Sequence, residues 1–355
     1  MLTRLLPAAA AVVFSASAFA QTLSLGDAMP TIGDDANWLQ GSPVSAWEEG
    51  QIYVLDFWAT WCGPCIASIP HVNELSQKHA PDGVNVIGMA IWPREGMIPT
   101  DKYVQDRGEE MSYRIAEDND GKLAERYMKA TGSNGIPTIM IINRAGQLVW
   151  KGHPMSGFDE ALEAVIDGTF DLDAAKNLAA IEAKGKEILA GARAKQAAGD
   201  WDGVVAIYRE VAAMKGFPFA EYYGYQAFTT LANAERGNNP AEAYAYAREL
   251  AKTFAGDEEV FSHMAQFIAE GPIADDARDL DFALELAQTG VKNAPATEAL
   301  PYAMLASVFH ARGEYDAAIM AQSKAIEIAK SESADPRMLK EYEAALDEYA
   351  SHATN

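Results

Sequence analysis

The sequence has few cysteines and few basic residues. Only two cysteines occur in 355 residues, which excludes a framework of several disulfides. Lys and Arg number 28 against 51 acidic residues. The resulting formal charge of −23 argues against binding nucleic acid or an anionic membrane surface, because phosphate contacts require clustered basic side chains. Apolar residues make up 49% of the chain, an ordinary globular composition that excludes disorder, and the length predicts two domains.

Residues 1–20 (MLTRLLPAAAAVVFSASAFA) have the pattern of a secretory signal. Arg4 precedes a short apolar run, and the segment ends in Ala18-Phe19-Ala20, an Ala-x-Ala cleavage pattern. An uncleaved anchor helix is the alternative, but the run is short for a membrane span of about 20 apolar residues. We therefore expect cleavage after Ala20 and a periplasmic or secreted protein. In such a compartment a cysteine pair is either oxidised or held reduced by an outside electron supply.

Residues 21–171 have a pattern of alternating strands and helices. Runs of β-branched and aromatic residues predict buried strands at 52–58 and 84–92. Helices are predicted at 66–80, 101–108, 121–131 and 158–166, and a hairpin is predicted at 138–151. Strands separated by helices and followed by a hairpin predict an α/β domain, in which a mixed central sheet is covered by helices on both faces.

From residue 172 to residue 355 the strand pattern ends and helical spacing takes over. Four helix openings, at 199–202, 237–240, 279–282 and 313–316, lie 38, 42 and 34 residues apart. Those spacings are close to the period of about 34 residues in tetratricopeptide (TPR) helix pairs. The last unit resembles a TPR at Tyr302, Leu305, Ala306, Phe309, Ala318 and Ala325, and departs from it at Gln322 and Lys330. We predict an all-α TPR-like domain; the alternative is a plain helical bundle without a binding groove.

The two cysteines lie in Trp61-Cys62-Gly63-Pro64-Cys65, between a predicted strand and a predicted helix. A helix N-terminus stabilises a thiolate, so Cys62 is the predicted nucleophile and Cys65 the thiol that resolves the mixed disulfide. Pro64 should fix the backbone at the helix start. A zinc site would need about four ligands, which the surrounding sequence does not supply, so no metal is predicted. An inert structural disulfide is the other alternative, but closing so short a loop stabilises little.

Residues 54–65 (VLDFWATWCGPC) resemble the active-site segment of thioredoxins. The signal, the N-terminal stretch and the insertion between the second and third strands are similar to those of exported TlpA/ResA-like reductases. The resemblance covers residues 25–170. It implies a thioredoxin fold and thiol–disulfide oxidoreductase activity, with no cofactor besides the redox-active Cys62–Cys65 disulfide.

The resemblance also implies roles for other residues. Asp56, six residues before Cys62, matches the buried carboxylate of thioredoxins. Burial should raise the pKa of Asp56, making it the proton acceptor for Cys65. Gly135-Ile136-Pro137-Thr138 matches the loop whose proline is cis and whose preceding residue pairs with a bound peptide. The predicted substrate-binding and supporting residues are Trp61, Gly63, Pro64, Ile136, Pro137 and Thr138.

Three departures from the related families concern charge, and the first is that TlpA/ResA-like proteins often have Asn where Asp56 stands. TlpA/ResA-like proteins commonly have an acidic residue shortly after the second cysteine, whereas residues 66–69 read IASI. Thioredoxins place a basic residue on the strand after the active-site helix, and residues 86–90 (VIGMA) contain none. These differences affect which partner specificity carries over and leave the predicted chemistry unchanged.

Two further segments have two interpretations each. Residues 92–95 (WPRE) either shape the substrate groove or form a plain loop. Tyr222, Tyr223 and Tyr225, with Tyr244 and Tyr246, either line a peptide groove or belong to a helical core. An aromatic stripe at helical spacing is more often core.

Together these features predict an exported protein-disulfide reductase. The Gly-Pro spacer, Asp56 and Ile136 are thioredoxin-like, and thioredoxin, at about −270 mV, is far more reducing than periplasmic oxidants at about −120 mV. The expected partners are disulfide-bonded client proteins, an inner-membrane thiol electron donor, and a partner protein or second copy bound by the helical domain. The alternatives are a TPR-type scaffold or isomerase that docks clients, and a peroxiredoxin-like antioxidant. The last is disfavoured because Ala59 stands where a peroxidatic cysteine is preceded by Thr.

Overall fold

The computed structural model describes residues 22–118, 120–332 and 335–353. The predicted signal segment and its cleavage site lie outside the described residues. The chain divides into two compact units, one ending at Asn177 and the other beginning at Leu178. This division falls six residues after the predicted boundary of 171, inside a helix that runs over Leu172–Leu189.

The first unit is built on a mixed sheet of six strands. They are β1 (Asn37–Gln40), β2 (Ile52–Trp58), β3 (Val84–Ala90), β4 (Arg114–Glu117), β5 (Thr138–Ile142) and β6 (Leu148–Gly152). Their order across the sheet is β1-β4-β3-β2-β5-β6. Strand β2 is parallel to β3 and antiparallel to β5, and all seven of its residues are buried. Because β2 has a neighbour on each side and a covered surface on both faces, it reads as a continuous apolar run interrupted only by Asp56.

Helices and loops cover both faces of this sheet. The helices of the unit are α1 (Gly63–His79), α2 (Thr100–Arg107) and α3 (Phe158–Asp167), with a π-helical segment at Ala124–Lys129. Side chains alternate between the faces along β2, so Val54 and Trp58 pack in the same cluster as both cysteines. Leu55 and Phe57 pack in the opposite cluster, with Tyr127 of the π-helical segment.

Most of the predicted α/β elements are confirmed, with small shifts at their ends. Strand β2 has the predicted bounds, and α1 begins three residues before the predicted helix. Strand β3 ends at Ala90, two residues early, because the backbone turns at Trp92, whose φ is 54°. The short strands β1 and β4 were not predicted. They form one side of the sheet, with β1 at its edge and β4 between β1 and β3.

The second unit is helical throughout its described residues, which confirms the predicted all-α class. Helix α4 (Leu172–Leu189) crosses the division between the units. The other helices are α5 (Ala192–Ala197), α6 (Trp201–Ala212), α7 (Ala220–Ala232), α8 (Pro240–Thr253), α9 (Glu258–Glu270), α10 (Leu280–Asn293), α11 (Leu300–Ala311), α12 (Tyr315–Ser331) and α13 (Pro336–Ala353).

The four predicted openings each begin a helix in this unit, namely α6, α8, α10 and α12. Polar residues cap three of these starts, because Asp200, Asn239 and Asp279 accept backbone N–H groups that the first helical turn leaves free. Successive helices pack as pairs, including α6 with α7 and α9 with α10. Whether the pairs are TPRs stays a prediction. Among the described residues, no helix combines the length and apolar character needed to cross a membrane.

Candidate active site

The cysteine pair lies at the start of α1, directly after the central strand. Cys62 is the N-cap residue of α1, and its Sγ accepts the backbone N–H of Cys65 at 3.3 Å. A disulfide joins Cys62 to Cys65, with 5.2 Å between their Cα atoms. Cys62 retains 4% of its surface exposed against 1% for Cys65, and the intervening Gly63 and Pro64 are exposed. Cys62 is therefore the outer sulfur, and it lies where free helix N–H groups favour negative charge.

The predicted cis-proline loop lies against this pair. The Ile136–Pro137 peptide bond is cis, as expected. The carbonyl oxygen of Ile136 lies 3.7 Å from Cys62 Sγ, and Pro137 is buried behind it. Thr138 begins β5, and its hydroxyl donates to the carbonyl of Gly135 at 2.8 Å, which closes the turn. The structure thus brings the backbone of Ile136 beside the outer sulfur, where an extended peptide could pair with it.

Trp61 connects the cysteine motif to the loop at residues 92–95. The indole Nε1 of Trp61 donates to the carbonyl of Trp92 at 2.8 Å. The guanidinium of the exposed Arg94 lies 3.4 Å from the centre of the Trp61 ring. Such cation–π contacts contribute about 0.5–1 kcal/mol at exposed positions. The loop therefore contacts the residue next to Cys62, through Arg94 and the carbonyl of Trp92, and whether it shapes a substrate groove stays a prediction.

Asp56 is a buried carboxyl on the face of β2 that carries the cysteine cluster. Only 1% of Asp56 is exposed, and its Oδ1 has no hydrogen-bond partner among the described residues. Burial raises the pKa of Asp56 from an ordinary 3.8 to about 7, and the Tyr113 side chain offsets part of that rise. The predicted direction is therefore confirmed. With this pKa, Asp56 can take up and release a proton near neutral pH.

Gly88, the residue opposite Asp56 on β3, leaves room for Tyr113 to approach Asp56. Asp56 is in register with Gly88 of β3, and a Cβ at Gly88 would lie 2.9 Å from Cε2 of Tyr113 and 2.8 Å from Cδ1 of Ile115. Only glycine leaves room for these side chains. Where thioredoxins place a basic residue on this strand, this chain therefore presents a tyrosine from a neighbouring segment.

Further unpaired polar atoms lie around this carboxyl. The Tyr103 hydroxyl and Trp58 Nε1 are, like Asp56 Oδ1, buried without a hydrogen-bond partner among the described residues. The Tyr113 hydroxyl makes no hydrogen bond of ordinary geometry there either, although it is close enough to Asp56 to affect the pKa of the carboxyl. The rings of Trp58 and Tyr103 are 5.5 Å apart. Burial and then the charge of Asp56 raise the pKa of Tyr113 well above its usual value. These residues form a group of buried polar atoms inside an apolar core, which no single stretch of the sequence indicates.

A mixed sheet, a cysteine pair at the start of the helix after its central strand and an adjoining cis-proline loop define a thioredoxin-like domain. Residues 24–166 match the redoxin family model. Protein FixW of Rhizobium leguminosarum is 28% identical over 156 residues, which cover 42% of this chain and 70% of FixW. The thiol–disulfide oxidoreductase ResA of Bacillus thuringiensis (strain Al Hakam) is 32% identical over 101 residues, covering 28% of this chain and 54% of ResA.

One solved structure is also similar to part of this chain. It is a thiol:disulfide interchange protein from Bacteroides sp., 19% identical, with a TM-score of 0.35, and the match covers 41% of this chain and 92% of that one. The chain thus carries a redoxin-type, thioredoxin-like domain related to ResA, of the kind found in thiol–disulfide oxidoreductases. The chain spans about half the length of ResA, and a large helical region follows the matched residues.

Proposed function

We propose that the protein is an exported thiol–disulfide oxidoreductase that reduces disulfides in client proteins. One observation carries this proposal: the outer sulfur of the Cys62–Cys65 disulfide lies at a helix N-terminus, 3.7 Å from the Ile136 carbonyl. Thiolate stabilisation and a backbone edge for peptide pairing are the two properties that a disulfide-exchanging enzyme needs at one place. The relatives named as thiol–disulfide oxidoreductases support the same class.

The reaction starts from the reduced dithiol. The Cys62 thiolate attacks one sulfur of a client disulfide; a Cys62–client bond forms as the client S–S bond breaks, and the other client sulfur leaves as a thiolate. Cys65 then loses its proton to the Asp56 carboxylate and attacks the Cys62 sulfur, which releases the second client thiolate. Two electrons pass from the dithiol to the client, and an inner-membrane thiol donor returns them. Because burial places the pKa of Asp56 at about 7, its carboxylate is available at neutral pH.

The surroundings of Cys62 supply the client site in this proposal. An extended client segment pairs with the backbone of Ile136, next to the cis Pro137, while the half-buried Trp61 ring bounds the other side. Gly63 and Pro64, which separate the two cysteines in the sequence, are exposed and have no bulky side chain that would block the approach of a client segment to Cys62. We assign reduction rather than oxidation because the Gly-Pro spacer, Asp56 and Ile136 are thioredoxin-like.

We assign partner binding to the helical unit. An open cavity of about 660 Å³ lies there, lined by Phe219, Tyr222, Tyr223, Tyr225 and His263, with Glu221, Asp257 and Glu259 at its edge. Tyr222 is 52% exposed, whereas Tyr244 is buried in the core. Aromatic faces beside carboxylates fit a client segment that carries Lys or Arg, through cation–π and charge interactions. Export to the periplasm follows from the predicted signal at residues 1–20.

Mixed-disulfide trapping tests this function. A Cys65→Ser variant should hold client proteins on Cys62 as complexes that a reductant releases, and a Cys62→Ser variant is the matched control that should hold none. The potential of the Cys62–Cys65 couple should lie near the roughly −270 mV of thioredoxin. A potential near the roughly −120 mV of the oxidants would make the protein an oxidase instead. If both variants trapped clients equally, Cys62 would not be the nucleophile and Cys65 would not be the resolving thiol.

A further inference from the structure

Three side chains with metal-binding groups meet on the surface of the helical unit. Glu348 and His352 lie four residues apart on α13, and His310 lies near the end of α11. One ligand atom from each of the three lies within 4.8 Å of the others. Nε2 of His310 and Nδ1 of His352 are 2.7 Å apart. Two of the six histidines in the chain thus meet across 42 residues of sequence, with a carboxylate one helical turn away.

Packing holds the first of these ligands in place. The ring of His310 stacks on Tyr349 with centroids 4.6 Å apart, and Tyr349 is itself 5% exposed. Tyr315 of α12 lies on another side of the His310 ring, at 5.7 Å. Glu348 and His352 are exposed, so they can adjust around a ligand at little cost. One fixed imidazole and two adjustable ligands form a site that is partly organised before any cation binds.

We propose that His310, Glu348 and His352 bind a divalent transition-metal cation, Zn²⁺ first among them. Two imidazoles and one carboxylate match the donor preference of Zn²⁺, and three protein ligands leave a fourth position for water. With Zn–N bonds of about 2.0–2.1 Å in tetrahedral geometry, the two ring nitrogens would stand about 3.3 Å apart. The exposed His352 has to move by roughly half an ångström to reach that separation.

The bound cation would add a link between α11 and α13, whose side chains already meet where His310 stacks on Tyr349. His310 is on the first of these helices, and the other two ligands are on the last. A cation that binds the folded arrangement and not the unfolded chain raises stability by mass action. Binding should therefore raise the melting temperature as well as register in a direct titration.

The chain contains a matched comparison for this site. Glu259 and His263 on α9 have the same spacing of four residues, and a carboxylate oxygen of Glu259 lies 4.0 Å from Nδ1 of His263. No second histidine or cysteine ligand joins that pair within the described residues. A Glu–His pair at helical spacing alone should bind Zn²⁺ far more weakly than the three-residue group, so His263→Ala is the control.

Zinc titration of the oxidised full chain tests the proposal. The disulfide removes the cysteine thiolates as competing ligands, and purification through a histidine-free tag followed by chelator treatment removes other zinc. We expect one Zn²⁺ per chain by calorimetry and a tetrahedral absorption spectrum with Co²⁺. His352→Ala and Glu348→Gln, both at exposed positions, should each weaken binding at least about tenfold, and His263→Ala should leave it unchanged.

Two results would overturn the proposal. One is the absence of binding below millimolar Zn²⁺, in which case the two histidines only hydrogen-bond to each other. The other is equal affinity in the wild type and in both ligand variants, which would place bound zinc elsewhere. Because the test uses the oxidised protein and reads binding alone, its outcome is independent of the disulfide-exchange function.

Discussion

Replacing Asp56 with Asn should stabilise the protein at neutral and alkaline pH. In the folded protein burial raises the pKa of Asp56 to about 7, while the unfolded chain ionises this group near 3.8. Between those two values the folded state binds more protons than the unfolded state, so the free energy of unfolding falls as the pH rises. At about 1.4 kcal/mol per pH unit, the loss reaches roughly 4 kcal/mol above pH 7. Because the Asn side chain does not ionise, the free energy of unfolding of the variant does not fall in this way.

Urea unfolding of the oxidised proteins across pH 4 to 9 measures the effect. Wild type and Asp56→Asn should differ least near pH 4, the low end of this range, where the folded carboxyl is protonated and the unfolded carboxyl is only about half ionised. The advantage of the variant should grow up to about pH 7 and then level off at a few kcal/mol. The dependence on pH is the decisive observation, because a fixed difference in packing between the two side chains would shift every point equally.

Asp118→Asn provides the matched control. Asp118 is as deeply buried as Asp56, but its Oδ2 accepts the backbone N–H of Ala124 at 2.8 Å. An Asn amide oxygen is a weaker acceptor for this N–H than a carboxylate oxygen, so the replacement should lower the stability of the protein at pH 8. If Asp56→Asn changed stability by the same amount at pH 4 and pH 8, or lowered it at pH 8, the carboxyl would not be the buried, unpaired group inferred here.

The same Asp56 variant separates stability from chemistry. Loss of the proton acceptor should slow resolution of the mixed disulfide by about a hundredfold at pH 7 or above, the lower end of what a positioned base contributes. Quenched-flow measurement of mixed-disulfide decay reports this step directly. A variant that is more stable and resolves at the wild-type rate would confirm the burial argument and refute the proton-transfer role.

Three further predictions concern the neighbours of these groups. Gly88→Ala should cost about 1–3 kcal/mol in urea unfolding, because the added methyl overlaps Tyr113; a loss below about 0.5 kcal/mol would contradict the close approach. Tyr113→Phe removes the group that lowers the pKa of Asp56, so the pH at which the loss of stability levels off should move upward, and an unchanged pH profile would argue against their interaction. Arg94→Ala should raise KM for insulin reduction with kcat unchanged, since Arg94 contacts Trp61 and not the sulfurs; a drop in kcat alone would disagree.

Elements with strong local patterns were predicted well. Strand β2 is buried on both faces and reads as an unbroken apolar run except for Asp56, so its bounds are visible in the sequence. Strand β4 is only four residues long, with charged Arg114 and Glu117 at its ends and two buried residues between them. Its extended form depends on pairing with β3 and β1, and these contacts are set by the tertiary fold.

The features of the candidate site also differ in how far the sequence alone predicts them. The cysteine motif and the loop before β5 are short strings whose chemistry can be recognised locally. Arg94 stacks on Trp61 across 33 residues of sequence, and His310 meets His352 across 42, so no local pattern indicates either contact. Helical periodicity predicts which residues share a face of one helix, but the partners on another helix follow only from how the helices pack.

Gly88 gives a structural reason for one departure from the thioredoxin sequence. Residues 86–90 lack the basic residue that thioredoxins place on this strand. In the structure the missing side chain lets Tyr113 approach Asp56, so the carboxyl faces a phenol instead of a cation. A nearby cation would lower the pKa of Asp56 by favouring its charged form, whereas a neutral hydroxyl offsets burial only in part. Burial therefore raises the pKa of Asp56 to about 7 with no basic side chain on residues 86–90 to counter it, and this is the range that a proton acceptor for Cys65 needs.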